Sequence, residues 1–257
     1  STASGVDTAH VKISRTSASG VGNIQLQVNE HGAQNRILVV PGANYDLTPE
    51  DLEWMEEGVK EFDLVMLQLE LTMAVTKYAA RCAHAARVPV MLNPAPAAVL
   101  DQELLSCVTY LSPNEHEAAL LTGLPLRTDE RGVNEEDLKK VTAALRDQGV
   151  DKVMITLGGN GSVVAGANGI LHTACVRMQE VKDPTAAGDS FVAAFCTGLT
   201  AGLAEQEALA FASHTAAITV TRMGALPSLP TVDEVQALLR ERRYAGFEPD
   251  ELDALKR

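Results

Sequence analysis

The chain is short of positive charge, of cysteine and of long apolar runs. Its 21 Lys and Arg stand against 34 Asp and Glu, for a net charge of −13. That balance argues against nucleic acid or an anionic membrane as a partner, because both need clustered cations. A small anionic ligand stays open, since the N-terminus of a helix binds one without net positive charge. The cysteines, Cys82, Cys107, Cys175 and Cys196, form no C-x-x-C pair and read as reduced core thiols of a cytosolic protein. No apolar run reaches the roughly eighteen residues of a membrane span, and the first residues lack the basic-then-apolar form of a signal peptide. The expectation is a soluble, cytoplasmic protein. Also missing are a G-x-x-x-x-G-K-[ST] phosphate loop, a credible G-x-G-x-x-G fingerprint, internal repeats and low-complexity tracts.

What is present is an alternation. Two β-rich runs, 23–28 and 36–40, are joined by a polar, glycine-containing segment, 29–35, and read as a hairpin. Thr48, followed by Pro49, Glu50 and Asp51, is a helix start: a capping hydroxyl, a first-turn proline and acids near the positive end. Short apolar runs at 64–67, 88–92, 108–111 and 153–157 then alternate with helical patterns at 73–86, 115–122 and 135–148. A second β-rich region covers 161–165 and 170–178, and helical patterns follow at 188–200, 205–220 and 232–242. The middle helix carries an alanine face suited to close packing, Ala208, Ala210, Ala212, Ala216 and Ala217. Residues 128–136 have the charge density of an exposed loop, and the acidic stretch 248–253 reads as a solvated tail or short helix. The implied fold is α/β: a Rossmann-like, mostly parallel sheet with helices on both faces, built as a single domain over 1–257. Ligands of such folds bind at the carboxyl ends of the strands. Gln68 and Glu70, Asn93 to Pro96, Ser112 to Glu117, and Gly158 to Gly161 all fall there.

Three stretches could carry chemistry. Residues 181–195, VKDPTAAGDSFVAAF, place Ala186, Ala187 and Gly188 just before Asp189 at the opening of a helix. Small residues there let an anion reach unpaired N–H groups, with the Asp189 carboxylate beside it, an arrangement suited to phosphoryl transfer to a hydroxyl. A turn with an ordinary capped helix fits the same residues. Asn114 and Glu117 lie three apart at another helix start, where an amide and a carboxylate could order the water shell of Mg²⁺ or simply cap the helix. The stretch 155–162, ITLGGNGS, is a strand entering a glycine turn, either a nucleotide contact or a hairpin.

The segment DPTAAGDSF resembles the C-terminal signature D-T-x-[GA]-A-G-D-[ST]-F of the ribokinase-like (PfkB) carbohydrate kinase family, departing from it in Pro184. Residues 112–123, SPNEHEAALLTG, are similar to the family's P-N-x-x-E motif, and ITLGGNGS to its T-x-G-x-x-G segment. Shorter matches, LQLE at 67–70, LNPAPA at 92–97 and VTRMGALPS at 220–228, point to the ribose-phosphorylating branch. The resemblance runs from about Gly5 to Pro230.

It implies a ribokinase-like fold with a small β lid, the hairpin at about 20–40, through which many members form homodimers. It implies ATP-dependent phosphorylation of D-ribose to ribose 5-phosphate, with Asp189 as general base and Ala186, Ala187 and Gly188 as the anion hole. Glu70 would contact the sugar, although a solvated acid after a strand is the reading without the family. Asn114, Thr156, Gly158, Gly161 and, for adenine packing, His214 would bind ATP. Glu117 would support Mg²⁺. Asp183, Thr185, Thr219, Arg222, Gly224 and Ser228 would place backbone oxygens around a monovalent cation, K⁺. The family's first strand, its sugar-binding Asp and its G-G-K-G-x-N segment find no counterpart, because the G-A-N at 42–44 matches a different, downstream position. A truncated kinase is therefore expected. The alternatives are another PfkB-type sugar or nucleoside kinase, or a non-catalytic nucleotide-binding or dimerisation protein.

Overall fold

The computed structural model describes residues 5–29, 32–129, 132–246 and 248–256. The expected hairpin forms, as β1 (Val21–Asn29) antiparallel to β2 (Gly32–Val40), with Val21 opposite Val40. Residues 30 and 31 of its connecting segment lie outside the described residues. Ile24, Ile37, Leu38, Val39 and Val40 on this hairpin are exposed. The Thr48 cap is also made, its N–H donating to Asp51 Oδ2 at 2.9 Å. It opens a 3-10 turn, Pro49–Leu52, and a single α turn, α1 (Met55–Gly58), rather than a continuous helix.

The alternating segment follows: β3 (Val65–Leu67), α2 (Met73–Ala85), β4 (Val90–Leu92), α3 (Gln102–Leu105), β5 (Tyr110–Leu111) and α4 (Glu115–Thr122). The described residues of the charged stretch expected as a loop form a ribbon, β6 (Thr128–Asp129) with β7 (Gly132–Val133), and the first turn of α5 (Glu135–Asp147), while residues 130 and 131 lie outside the described residues. Then come β8 (Lys152–Thr156), β9 (Ser162–Gly166) and β10 (Gly169–Thr173). The predicted strand over 170–178 thus stops at Thr173, and the residues after it leave the sheet. Helices α6 (Ala187–Thr200), α7 (Glu205–Thr219) and α8 (Val232–Glu241) complete the fold. The acidic C-terminal stretch is a docked 3-10 helix, Pro249–Lys256, with Leu252 fully buried and Gln236 Nε2 donating to Pro249 O at 2.8 Å.

Six strands form one sheet in the order β10-β9-β8-β5-β4-β3. β3, β4, β5 and β8 are parallel, and β9 and β10 extend the sheet antiparallel. Successive side chains of a strand face opposite sides, so a strand buried on both faces needs apolar residues at every position. β4 shows it: Val90 and Leu92 pack into the cluster formed with α2, α4 and α5, while Met91 packs with α6, α7 and α8. The same split sends Leu111 one way and Tyr110 the other, and Val153 and Ile155 one way and Met154 the other. Helices therefore cover both faces, as the alternation predicts. The alanines of α7 allow its close seat on α6: Gly198 faces Ala208 so closely that an added Cβ would lie 3.3 Å from the Ala208 Cβ. Among the described residues no helix is long and apolar enough to cross a membrane. All four cysteines are free, but Cys196 alone is fully buried, so the core-thiol expectation holds there and is too strong for Cys82, Cys107 and Cys175.

One ion pair fixes the entry to α5. Asp137 is buried and accepts from Arg127 Nε at 2.6 Å and Nη2 at 2.8 Å. The guanidinium overcomes the effect of burial and pulls the Asp137 carboxyl down to about 2. A carboxyl lowered on folding contributes stability above its unfolded value, near pH 4, and that contribution is lost as pH falls through about 2. Asp137→Asn should therefore flatten the fall in urea midpoint between about pH 4 and pH 2. An equally steep fall in the variant would show that other carboxyls carry the acid limb.

Candidate active site

The site is built at the carboxyl ends of the parallel strands, where backbone groups of turns and helix starts converge. α6 begins at Ala186, which holds φ +62° and ψ +8° and makes no side-chain cap. The left-handed region costs an alanine about 1–2 kcal/mol, so the surroundings must enforce it. Asp183 does so: its Oδ1 accepts from Thr185 N–H and its Oδ2 from Gly224 N–H, each at 2.9 Å. Burial alone would raise the Asp183 carboxyl, but hydrogen bonds from the Thr185 hydroxyl and from the N–H groups of Gly224 and Thr185 hold it below its ordinary value. Ala187 N–H turns back to Pro184 O at 3.2 Å, and the helical ladder begins with Ser190 N–H to Ala186 O at 2.9 Å. Between these bonds stand the N–H groups of Gly188 and Asp189. Gly188 has open space where a side chain would grow, with no atom within 4 Å of an added Cβ, and Asp189 is exposed beside it.

Asn114 caps α4, its Oδ1 accepting from the N–H groups of His116 at 2.9 Å and Glu117 at 2.8 Å. Glu117 Oε2 returns the bond by accepting from Asn114 N–H at 2.9 Å. Burial raises the Glu117 carboxyl, and that backbone bond only partly offsets it. Both readings of this pair thus bear on one arrangement, since the cap consumes Oδ1 and Oε2 while Asn114 Nδ2 and Glu117 Oε1 remain. Asn114 also bridges to Thr156 at the end of β8, with Thr156 N–H on Pro113 O at 3.2 Å. After Thr156 the chain turns through Gly158, at φ +53°, and Gly161, at φ +87°. Gly161 is packed so tightly that an added Cβ would sit 2.0 Å from Thr173 O.

These parts enclose a cleft of about 600 Å³. Asn114, Thr156, Gly158, Gly161, Ala187 and Gly188 line it, so six of the residues picked from the sequence meet there. The opposite wall is apolar: Val176, Met178 and Val181 after β10, and Ala216, Ala217 and Val220 from α7 and its end. His214 does not join them. It is buried one face round α7, its Nδ1 2.8 Å from Ala210 O and its ring 5.5 Å from Tyr244 at 71°, with burial lowering its pKa. His214 therefore does not line the cleft, and the α7 residues that do are Ser213, Ala216 and Ala217. Glu70 is exposed beyond β3, at the far edge of the sheet, and does not line the cleft.

The residues expected around a cation gather behind α6. Lys182 and Asp183 donate their N–H groups to Val220 O at 2.8 and 3.2 Å, Arg222 N–H donates to Thr219 O at 3.1 Å, and Ser228 Oγ donates to Ala225 O at 2.6 Å. The Arg222 guanidinium pairs outward with Glu234, so its side chain takes no part. Residues 175–178 carry no expectation of a site from the sequence. Their apolar run reads as strand, and nothing in it marks the departure from the sheet that puts Arg177, the one Lys or Arg among the described lining residues, on the wall.

An open α/β sheet with a bare helix start and a glycine turn on one cleft, and a carboxylate exposed beside that helix start, fits a phosphoryl-transferring enzyme of the nucleotide-binding type. The description "pfkB family carbohydrate kinase" matches residues 2–232. The ribokinase of Haemophilus influenzae is 35% identical over 237 residues, covering 91% of this chain and 74% of that protein. The ribokinase of Schizosaccharomyces pombe is 37% identical over 234 residues, covering 90% and 71%. Among solved structures, Arabidopsis thaliana ribokinase complexed with ribose and ATP superposes with a TM-score of 0.73 at 31% identity, over 85% of this chain and 69% of that one. The chain belongs to the pfkB family of carbohydrate kinases.

The two glycines separate folding from chemistry. Gly161→Ala should destabilise the fold by about 3 kcal/mol or more, through a forced clash at positive φ. Gly188→Ala should leave the thermal midpoint unchanged or slightly higher, as alanine favours a helix, yet lower ATP-dependent turnover at least about tenfold by crowding the anion. Unchanged turnover in folded Gly188→Ala would remove the anion hole from this helix start.

Proposed function

We propose that this chain transfers the γ-phosphoryl group of ATP to the primary hydroxyl of D-ribose, giving ribose 5-phosphate. The observation that carries the reading is the bare N–H face of Gly188 with Asp189 beside it, opening onto a cleft that has a glycine turn on one wall and apolar side chains on the other. The similarity to ribokinases over nine-tenths of the chain supports ribose as the acceptor. The purine would lie against Val176, Met178, Ala216 and Ala217, and the phosphates would run past Thr156, Gly158 and Asn114 to the start of α6. There Asp189, as general base, would take the proton of the attacking hydroxyl. The helix start shaped by Ala186, Ala187 and Gly188 would hold the charge that develops on the phosphoryl oxygens, through the N–H groups of Gly188 and Asp189. Glu70 would reach the sugar from the β3 side.

The donor sets fit the cations of the family. Among the described residues no group of three or more His, Cys, Asp or Glu is placed to hold a metal ion, so a fully protein-caged Mg²⁺ is not supported. Glu117 Oε1, left over from the cap, would accept from a water of an ion that keeps its own shell, while Asn114 Nδ2 would donate to a phosphate oxygen. Mg²⁺ bound in this way would offset charge on the ATP phosphates. For K⁺ the candidates are carbonyl oxygens of Asp183, Thr185, Thr219, Arg222, Gly224 and Ser228, drawn together by the bond from Gly224 N–H to Asp183. A monovalent cation there would add positive charge behind the anion hole. The exposed apolar side chains of β1 and β2 support a homodimer through that hairpin, and the four free thiols support a reducing, cytoplasmic compartment.

A coupled ADP-release assay with ATP and D-ribose, run against 2-deoxyribose and nucleosides, tests the substrate. Ribose should give the highest kcat/KM. Asp189→Asn should lower kcat by about 10²-fold or more while ATP binding by calorimetry stays within a few-fold. Full turnover in that variant removes Asp189 from the role of base.

A further inference from the structure

Among the described residues three buried side-chain oxygens, Asn93 Oδ1, Ser112 Oγ and Ser162 Oγ, have no protein hydrogen-bond partner. Ser112 is 2% exposed. A buried hydroxyl left in this state carries a desolvation penalty, and native proteins keep such groups where water or a ligand answers them. Two of the three are neighbours. Leu92 pairs with Leu111 across β4 and β5, so Asn93 and Ser112 are the next residues on adjacent strands, and Ser112 N–H donates to Leu92 O at 2.8 Å.

Alternation along the strands fixes the face they share. Met91 and Tyr110 pack on the α6 side and Leu92 and Leu111 on the other, which returns Asn93 and Ser112 to the α6 side. The Tyr110 ring meets Phe195 of α6 with centroids 5.5 Å apart. Gly188 lies about two helical turns before Phe195, and it lines the cleft together with Asn114 and Thr156 at the carboxyl ends of the strands. The first turn of α6 therefore stands over the level of Asn93 and Ser112. Their strands run about 4.8 Å apart, a separation that one water bridges between facing side chains.

We propose that Asn93 and Ser112 are positioning residues that together hold one ordered water beneath the first turn of α6. The Ser112 hydroxyl donates to the water oxygen. One water proton goes to Asn93 Oδ1, and the other is offered to the phosphoryl oxygen that also faces the Gly188 N–H. Catalysis would gain a donor from the sheet side that complements the donors of the helix. The inference rests on the kinase reading above.

Ser112→Ala tests it, because removing a hydroxyl without a protein partner leaves the fold unharmed. The variant should keep or raise its thermal midpoint, keep the KM for ATP and for ribose within about twofold, and lose about tenfold in kcat. Affinity for ADP with aluminium fluoride and ribose should fall by a similar factor, while affinity for ADP alone stays unchanged. Asn93→Ala should give the same split between kcat and KM, and the double variant should be no slower than the slower single one, since both remove one water. Wild-type kcat in Ser112→Ala, a multiplicative loss in the double variant, or a kcat loss that tracks a lowered midpoint would each overturn the proposal. Absence of turnover in the unmutated chain would instead sink the kinase reading, and this inference with it.

Discussion

The carboxylate of Asp183 sets where helix α6 starts, and the rest of the site follows from that. Its two oxygens hold Thr185 N–H and Gly224 N–H at 2.9 Å, tying the approach to α6 to the loop that follows α7. With both segments fixed, Ala186 has to enter the left-handed region to turn the chain into the helix. That sharp entry separates the N–H groups of Gly188 and Asp189 from any carbonyl of their own segment. A smoother entry with a Ser or Thr cap would satisfy those donors internally and leave less for an anion. The strain at Ala186 and the exposed donors are therefore two aspects of one geometry, held in place by a buried acid whose hydrogen bonds outweigh the upward pull of burial on its carboxyl.

The sheet provides the stiffness that makes this geometry useful. Its central strands are apolar on both sides, so α6 and α7 sit on one face while α2, α4 and α5 sit on the other. The cleft takes its phosphate-side wall from the ends of strands and starts of helices, and its apolar wall from α7 and the segment after β10. Arg242 secures that segment, its guanidinium donating to Arg177 O at 3.1 Å. The parts that meet a ligand thus hang from well-packed elements, and the reacting groups need little reorganisation.

Much of this was legible in the sequence, for identifiable reasons. Strand and helix positions followed from apolar runs and from caps whose bonds are local. Asn114 and Glu117 lie three residues apart, so the reciprocal cap between them is decided within one helical turn. The meeting of Gly188 with Thr156 and Asn114 followed from the rule that open α/β sheets bind at their carboxyl edge. His214 falls outside the cleft because a helical pattern identifies the helix but not which way each residue faces. One residue is about 100° of rotation, enough to send His214 to Tyr244 while Ser213 lines the cleft. Residues 175–178 escape a sequence reading because their spacing continues that of β10 and nothing local marks the end of the strand at Thr173. The break of the Thr48 helix into a 3-10 turn and α1 likewise has no local signature that a cap would reveal.

A distinction between satisfied and leftover groups runs through the whole site. Where the fold alone needs a residue, the structure shows its use: Gly161 has no room for a Cβ, Asp183 uses both oxygens, and Thr219 Oγ1 donates to Thr215 O at 3.0 Å. Where the fold does not need a residue, something is left over. Gly188 has empty space above it, Ala186 sits in a conformation that favours glycine, and Ser112 Oγ is buried without a protein partner. Stability by itself would fill the first, relax the second and replace the third, each by a single substitution. All three lie about the first turn of α6 or the strand ends beneath it. Departures from the most stable choice that converge on one point mark the place where an interaction from outside the chain completes the structure, and here that point is where the transferred phosphoryl group would stand.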